Sequence, residues 1–295
     1  MSPGKRLREL VADSTVQIPG APSALFARLI ERCGYDAMYL SGAAFSAGVL
    51  GLPDVGLFTL NELAQQAAYL TRACALPLIV DADTGFGEVL NVERTMVELE
   101  AAGAAAVQLE DQQFPKRCGH LAGKSLVEPA AMGAKLRAAS SARADQDFVI
   151  IARTDARGVT TIDDAIDRAK RYLDAGADWI FPEALQSKAE FEQFARAIDA
   201  PLVANMTEFG KSPLLTLQEL SDLGYSAVLY PVTLLRIALK AGEAALNVIA
   251  IEGTQADLLD LMQTREELYE LLDYQAFEDR DRAHANDQRR MTNDP

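Results

Sequence analysis

The chain has 295 residues, 49% of them hydrophobic and 24% charged, with a formal net charge of −15 at pH 7. That is enough apolar material for a full core, so disorder is not the default. An acidic surface with no Lys/Arg run works against nucleic-acid phosphates and anionic lipid, so neither nucleic acid nor membrane is expected as a partner.

Cys33, Cys74 and Cys118 are odd in number and far apart, with no CxxC and no paired-His spacing. Neither a disulfide framework nor a structural zinc site is suggested. The start, MSPGKRLREL, lacks a signal-peptide core, and no run of 18 apolar residues occurs, so a cytoplasmic location is expected.

In chain order, eight short apolar runs read as strands: TVQIPG (15–20), YDAMYL (35–40), PLIVDAD (77–83), AAVQLED (105–111), DFVIIARTD (147–155), DWIFPE (178–183), PLVANM (201–206) and YSAVLYP (225–231). Their apolar residues are nearly continuous, which suits parallel strands covered on both faces. Helix-like stretches lie between them. Four strands follow the same punctuation, Cys33-Gly34, Ala102-Gly103, Ala175-Gly176 and Leu223-Gly224. A glycine there ends a helix with a left-handed turn just before the strand begins. ELEAAGAAAVQLED and RYLDAGADWIFPE read as successive copies of one αβ unit. Eight such units in about 230 residues predict a closed (β/α)8 barrel of the TIM type. PGAPSA is not the glycine-rich phosphate loop that a doubly wound fold would carry. From Leu234 the periodicity turns helical, so residues 241–295 form a helical extension of this single barrel domain, expected to pack on a second subunit.

A barrel enzyme places its site at the C-terminal ends of the strands. Here those ends are polar throughout: Ser41, Asp81 with Asp83, Glu110 with Asp111, Arg153 with Asp155, Glu183, Asn205 with Thr207 and Glu208, and Tyr230 ahead of Arg236. Several carboxylates converging on one mouth repel unless a cation sits among them, which implies a divalent metal. Asp81 and Asp83, two apart on one strand, would face the same side. Oxygen ligands with no neighbouring His favour Mg2+, with Mn2+ second, over zinc. The alternative is that Asp81 caps the next helix through TGFG. Arg153 and Arg236 suit bidentate binding of a di- or tricarboxylate, or a salt bridge to a mouth acid; spacing leaves both open. No Lys ends a strand, so a Schiff-base aldolase lacks its nucleophile. PKRCGH (115–120) follows the fourth strand and belongs to a loop over the mouth. Lys116, Arg117 and His120 surround Cys118 with positive charge, the setting in which a thiol ionises most easily.

With these residues assembled, the sequence resembles the methylisocitrate lyase branch of the isocitrate lyase and phosphoenolpyruvate mutase superfamily. YLSGAA, GLPD, VDADTGFG, EDQQFPKRCGH, ARTDA, FPEA, NMTEFG, LYPVTLLR and MQTREELYE stand in that family's order across almost the whole chain. The resemblance implies that Ser41, Gly42 and Ala43 bind a substrate carboxylate. It implies that Asp81 and Asp83 hold Mg2+, with Asp54 and Glu110 in its outer shell. Cys118 and Gly119 would lie over the reacting carbons, and His120, Arg153, Glu183, Asn205, Thr207, Arg236 and Arg265 would complete the substrate site. It further implies a homotetramer with exchanged C-terminal helices.

The implied reaction is retro-aldol cleavage of 2-methylisocitrate to pyruvate and succinate, the last step of the methylcitrate route for propionate. Cys118 is the general acid that protonates the released carbanion; the base is unassigned. Ala43 stands where many members carry Gly. Isocitrate lyases proper are longer and differ near Phe181-Pro182-Glu183 and Tyr230-Pro231, and mutases lack the CGH thiol. The rival substrates are 2,3-dimethylmalate, isocitrate and oxaloacetate, because a methyl group is worth only about 1–3 kcal/mol of discrimination. A catalytically silent binding protein would have no use for the thiol, acids and arginines together.

Overall fold

The computed structural model describes residues 1–121 and 123–292; the last three residues of the expected extension lie outside them. The chain divides into two compact units, Met1–Ile237 and Ala238–Pro295.

The first unit runs α1 (Pro3–Asp13), β1 (Val16–Pro19), α2 (Ala24–Arg32), β2 (Met38–Leu40), α3 (Gly42–Gly48), α4 (Leu60–Ala73), β3 (Leu78–Asp81), α5 (Val89–Ala101), β4 (Ala106–Glu110), α6 (Pro129–Ala142), β5 (Val149–Thr154), α7 (Ile162–Asp174), β6 (Trp179–Pro182), α8 (Lys188–Ala197), β7 (Val203–Asn205), α9 (Leu217–Asp222) and β8 (Ala227–Tyr230). Each of the eight apolar runs contains one strand. All pairings are parallel, in an arc β2-β3-β4-β5-β6 and an arc β1-β8-β7. Single parallel bridges, Gly20 to Tyr39 and Ile180 to Leu202, join the arcs into a closed ring. The junction glycines behave as expected: Gly34, Gly103, Gly176 and Gly224 have φ of +81°, +87°, +105° and +89°.

Strand alternation sorts the core into two layers. Ile18, Ile79, Ile151, Trp179, Phe181 and Leu229 fill the barrel interior, and Leu7 of α1 joins that cluster. The alternate residues, among them Leu40, Val80, Val107, Ile150, Ile180 and Val228, pack outward with the helices. Helix α7 shows why a helix sits there: Ala165, Ile166, Ala169 and Tyr172 repeat at helical spacing and are buried. Helix starts are chemically marked, as where Thr59 and Glu62 form a reciprocal capping box on α4.

The second unit comprises the rest of α10 (Thr233–Glu252), then α11 (Arg265–Leu271) and α12 (Tyr274–Thr292). Helix α10 buries none of its residues and exposes Leu239, Leu246, Ile249 and Ile251. No helix among the described residues is long and apolar enough to cross a membrane.

Candidate active site

The inward rows of the barrel end in polar side chains at one mouth. Following every second residue, Tyr39 leads to Ser41, Ile79 to Asp81, Ala106 to Gln108 and Glu110, Ile151 to Arg153, Phe181 to Glu183, and Val203 to Asn205. Asp111 and Thr154 fall on the opposite parity and face the helices. There Asp111 accepts from Thr154 Oγ1 (2.7 Å), Tyr172 OH (2.8 Å) and the Asp155 amide (2.9 Å), so it is a structural acid. Asp83 does not reach the mouth by alternation, because β3 ends at Asp81. Its φ is +48°, a left-handed conformation uncommon for a non-glycine residue, and this turn brings its carboxyl beside Asp81. Asp81 does not cap α5, whose N-cap is Glu88; its Oδ2 accepts the Gly42 amide at 3.1 Å.

Asp81, Asp83 and Glu110 offer oxygens that all lie within 4.8 Å of one another, and all three residues are buried. Part of the positive charge expected among these acids comes from the protein itself. Lys116 pairs with Asp54 and lies 2.7 Å from Asp83 Oδ1, and Arg153 Nε is 3.5 Å from Glu110 Oε2. Burial alone would lower the Lys116 pKa; Asp83, Glu110 and Asp54 outweigh it and hold the ammonium charged. Its charge is thus directed at the acids and not at the Cys118 thiol. Two cations do not satisfy the cluster, however. Both oxygens of Glu110 are buried without a hydrogen-bond partner, the Arg153 guanidinium coming no nearer than 3.5 Å. Burial raises the Asp83 pKa to about 7 against the pull of Lys116, and pushes Glu110 well above the usual carboxylate range against Arg153 and Lys116. Orphaned carboxylate oxygens with no nitrogen or sulfur donor among them fit a hard divalent cation.

Beside this cluster lies a binding network. Arg153 donates to Asp155 at 3.0 and 3.2 Å and lies 3.3 Å from Glu183 Oε2. Burial would raise Asp155, but Arg153 and Lys124 override it and hold its pKa at about 2. Asn205 Nδ2 donates to Glu183 Oε2 (3.2 Å), and Thr207 Oγ1 donates to Asn205 Oδ1 (2.7 Å). Arg236, more exposed, bonds the Glu208 carbonyl at 3.5 Å and stacks over Phe209. Burial holds the Tyr39 phenol neutral, its pKa well above the usual value.

The PKRCGH loop closes over this network. Lys124 Nζ bonds both the Gly119 carbonyl and Asp155 Oδ1, the latter at 2.6 Å, and so ties the loop to the barrel. His120 Nδ1 accepts the Lys211 amide at 3.0 Å, which leaves its proton on Nε2, 3.2 Å from Glu183 Oε1. Burial lowers the His120 pKa more than Glu183 raises it, so the ring is neutral.

Beneath the loop is a cavity of about 80 Å³ whose lining includes Ser41, Ala43, Asp54, Asp81, Cys118, Gly119, His120, Arg153, Glu183, Asn205, Thr207 and Arg236. Gly42, Asp83 and Glu110 stand directly behind this wall: a methyl on Gly42 would sit 3.2 Å from Asp83 Oδ1. Arg265 belongs to the second unit, where it lines a groove with Glu266, Tyr269 and Tyr274. Lys116 and Asp83 also border a larger cavity of about 780 Å³, lined by Phe58, Phe86 and Phe114, but it contains none of Cys118, Arg153 or Glu183. Most of the residues expected to carry the chemistry line the smaller one. Sequence reasoning missed Tyr39, Gln108 and Lys124. The first two each lie two residues before a strand end it considered, Ser41 and Glu110, and only inward parity would have marked them.

The family model for phosphoenolpyruvate phosphomutase matches residues 7–250. A 2-methylisocitrate lyase of Aeropyrum pernix is 53% identical over 280 residues, covering 95% of this chain and 90% of that protein. Among solved structures, a 2,3-dimethylmalate lyase superposes with a TM-score of 0.91 at 32% identity, covering 96% of each chain. A phosphonopyruvate hydrolase in complex with oxalate and Mg2+ superposes with a TM-score of 0.85 at 28% identity, covering 94% of this chain and 97% of that one. An eight-stranded barrel with acids, arginine and a thiol loop at one mouth, matched over most of its length, places this chain in the phosphoenolpyruvate phosphomutase family.

Proposed function

We propose that this chain is a carbon-carbon lyase that cleaves 2-methylisocitrate to pyruvate and succinate with Mg2+, or Mn2+, held by Asp81 and Asp83. The observation that carries the reading is the Cys118 loop, closed on Arg153 and Glu183 beside an acid cluster with orphaned oxygens. The bound cation would supply positive charge to the substrate hydroxyl and its neighbouring carboxylate. Glu110 and Asp54 stand behind the two ligands, and Lys116 keeps the cluster from excess negative charge.

Arg153, Arg236, Asn205, Thr207 and the Ser41-Gly42-Ala43 backbone bind and orient the carboxylates. The substrate hydroxyl gives its proton to a base that remains unassigned, and the freed oxygen electron pair forms the pyruvate carbonyl as the carbon-carbon bond breaks. That bond's electron pair stays on the succinate carbon, and the Cys118 thiol donates its proton there and is left as thiolate. Phe181, Leu229, Pro231 and Val232 form an apolar wall on which a methyl group can pack. A cavity of about 80 Å³ is small beside ordinary ligand pockets of roughly 300 Å³ or more, so the loop must lift for substrate to enter.

The test is to incubate purified protein and Mg2+ with 2-methylisocitrate, isocitrate, 2,3-dimethylmalate and oxaloacetate, and to identify the products. Pyruvate and succinate from the first, faster than any product from the others, is expected. Glyoxylate from isocitrate with no cleavage of 2-methylisocitrate would sink the assignment. A cytoplasmic homotetramer with exchanged C-terminal helices is part of the same proposal, supported by the exposed apolar residues of α10. Arg265 as a substrate contact rests on the MQTREELYE motif. A monomer by light scattering at micromolar concentration would count against that assembly.

A further inference from the structure

Interior positions of a barrel strand are ordinarily filled by branched apolar side chains, and an amide buried there is costly unless both of its ends are bonded. Gln108 faces the interior of β4, midway between Ala106 and Glu110, and is fully buried. Both of its ends are bonded. Its Oε1 accepts the phenol hydrogen of Tyr39 at 2.8 Å, and its Nε2 donates to Asp81 Oδ1 at 3.1 Å. The contacts cross three neighbouring strands, β2, β4 and β3, and Asp81 is the register partner of Gln108.

The order of these bonds follows from chemistry. Both Asp81 oxygens already act as acceptors, Oδ2 from the Gly42 amide at 3.1 Å and Oδ1 from the Asp83 amide at 3.3 Å, so the end of the Gln108 amide that meets Asp81 is its NH2. That leaves the carbonyl end for Tyr39, and a carbonyl also only accepts. The phenol must therefore donate its hydrogen to Gln108, and its oxygen presents lone pairs alone to the cavity that Tyr39 lines. A group meeting Tyr39 from within that cavity must be a donor. In the lyase reading, on which this inference rests, the substrate's one neutral donor is the hydroxyl at the bond to be broken.

We propose that Gln108 is a positioning residue that fixes the hydrogen-bond polarity of Tyr39, holding the phenol oxygen as an acceptor for the substrate hydroxyl and coupling that orientation to the Asp81 carboxylate. Gln108 touches no substrate; it acts through Tyr39 on one side and Asp81 on the other.

The test uses full-length protein carrying Q108L, Q108H, Q108E, Y39F or Y39F with Q108L, assayed for kcat and KM on 2-methylisocitrate. Mn2+ affinity is measured by electron paramagnetic resonance without substrate. Neutral imidazole has one acceptor and one donor nitrogen, so Q108H can keep the polarity; Glu cannot donate to Asp81 when ionised. Q108L is expected to lower kcat about 100-fold with KM within about threefold, and Q108H to recover at least about tenfold of that loss. Q108E is expected to weaken Mn2+ about tenfold, as removal of a partner behind a metal ligand does. The double variant should be slower than Y39F by clearly less than the factor by which Q108L slows the wild type, the remainder reporting the lost bond to Asp81.

A Q108L kcat within threefold of wild type, or losses in Y39F and Q108L that multiply, would overturn the proposal. So would unchanged Mn2+ affinity in Q108E. Should Q108L fail to fold, Q108H and Q108E decide: an active Q108H beside an inactive Q108E is expected, and equal losses overturn it. A wild-type protein that cleaves none of the four acids defeats the lyase reading instead, and the Mn2+ comparison of wild type with Q108E then judges the Gln108–Asp81 link by itself.

Discussion

Gly119→Ala should uncouple loop closure from folding. A Cβ built on Gly119 would sit 2.5 and 2.6 Å from Glu183 Cγ and Cδ and would also overlap the Arg153 guanidinium. Ordinary carbon contacts lie at about 3.5–4.0 Å, so the deficit is about 1 Å. Neither neighbour is free to give. Arg153 is fixed by Asp155 at 3.0 and 3.2 Å, and Glu183, 1% exposed, is held by Asn205 at 3.2 Å and by the Ala184 amide at 2.8 Å. Gly119 does not have a positive φ, so alanine brings no backbone strain and the loop itself must retreat. A displacement of about 1 Å between catalytic group and substrate costs on the order of 100-fold in rate, or about 2.7 kcal/mol in the barrier. The assay is pyruvate release coupled to NADH oxidation, read beside thermal melting and the rate of Cys118 alkylation by iodoacetamide. Expected are a kcat about 100-fold lower, faster alkylation, and a Tm within a few degrees of wild type. A kcat within threefold of wild type would refute the claim that this close approach places the thiol. A Tm lower by more than about 10 °C would make Gly119 a structural residue instead.

Cys118→Ser should fold, bind Mn2+ with unchanged affinity and lose at least about 1000-fold in kcat, because a hydroxyl is a far weaker acid than a thiol; substantial turnover would remove Cys118 from the mechanism. The Asp83 carboxyl, raised by burial to about 7 without metal, predicts that Mg2+ affinity by calorimetry climbs about tenfold per pH unit up to pH 7 and levels above it. A flat profile from pH 5 to 8 would contradict it. For the same group the metal-free folded state holds its proton above the unfolded pKa near 4. Its contribution to stability is therefore complete below pH 4 and is lost as pH rises through about 7, by a few kcal/mol at most, so melts in EDTA should fall across that window. Asp111→Ala leaves Thr154, Tyr172 and the Asp155 amide without their shared acceptor and Arg168 without a carboxylate 3.4 Å away. A loss of about 3–5 kcal/mol in urea denaturation is expected, and less than 1 kcal/mol would show that the network tolerates its removal.

How much of this was legible beforehand can be judged from single positions. Every strand was visible, because a strand covered on both faces needs an unbroken apolar run, and four of them were marked again by the left-handed residue that ends the preceding helix, Gly34, Gly103, Gly176 and Gly224. The polar residue that closes each run named most of the cavity lining for the same reason: parity along a strand decides which side chain points inward. The run ends alone did not separate Glu110 from Asp111, both expected at the mouth; in the structure Glu110 enters it whereas Asp111, of opposite parity, turns to Arg168 and Tyr172.

What local pattern could not decide were matters of distance between segments remote in sequence. Lys116 looked like an activator of the thiol beside it, yet its ammonium meets Asp54 and Asp83, 62 and 33 residues earlier in the chain. Asp83 reaches its place through a left-handed turn that no strand rule anticipates. Lys124 drew no notice in the sequence, and Gln108 stood only as one polar letter in an apolar run, until closure of the barrel set them against Asp155 and between Tyr39 and Asp81. Residue types and periodicity determined the barrel and the ring of polar side chains at its mouth, because both follow from burial of one strand at a time. Which charge answers which, and which hydrogen each oxygen receives, was decided only in the tertiary structure, where electrostatic and hydrogen-bond energies depend on separations that the closed ring alone sets.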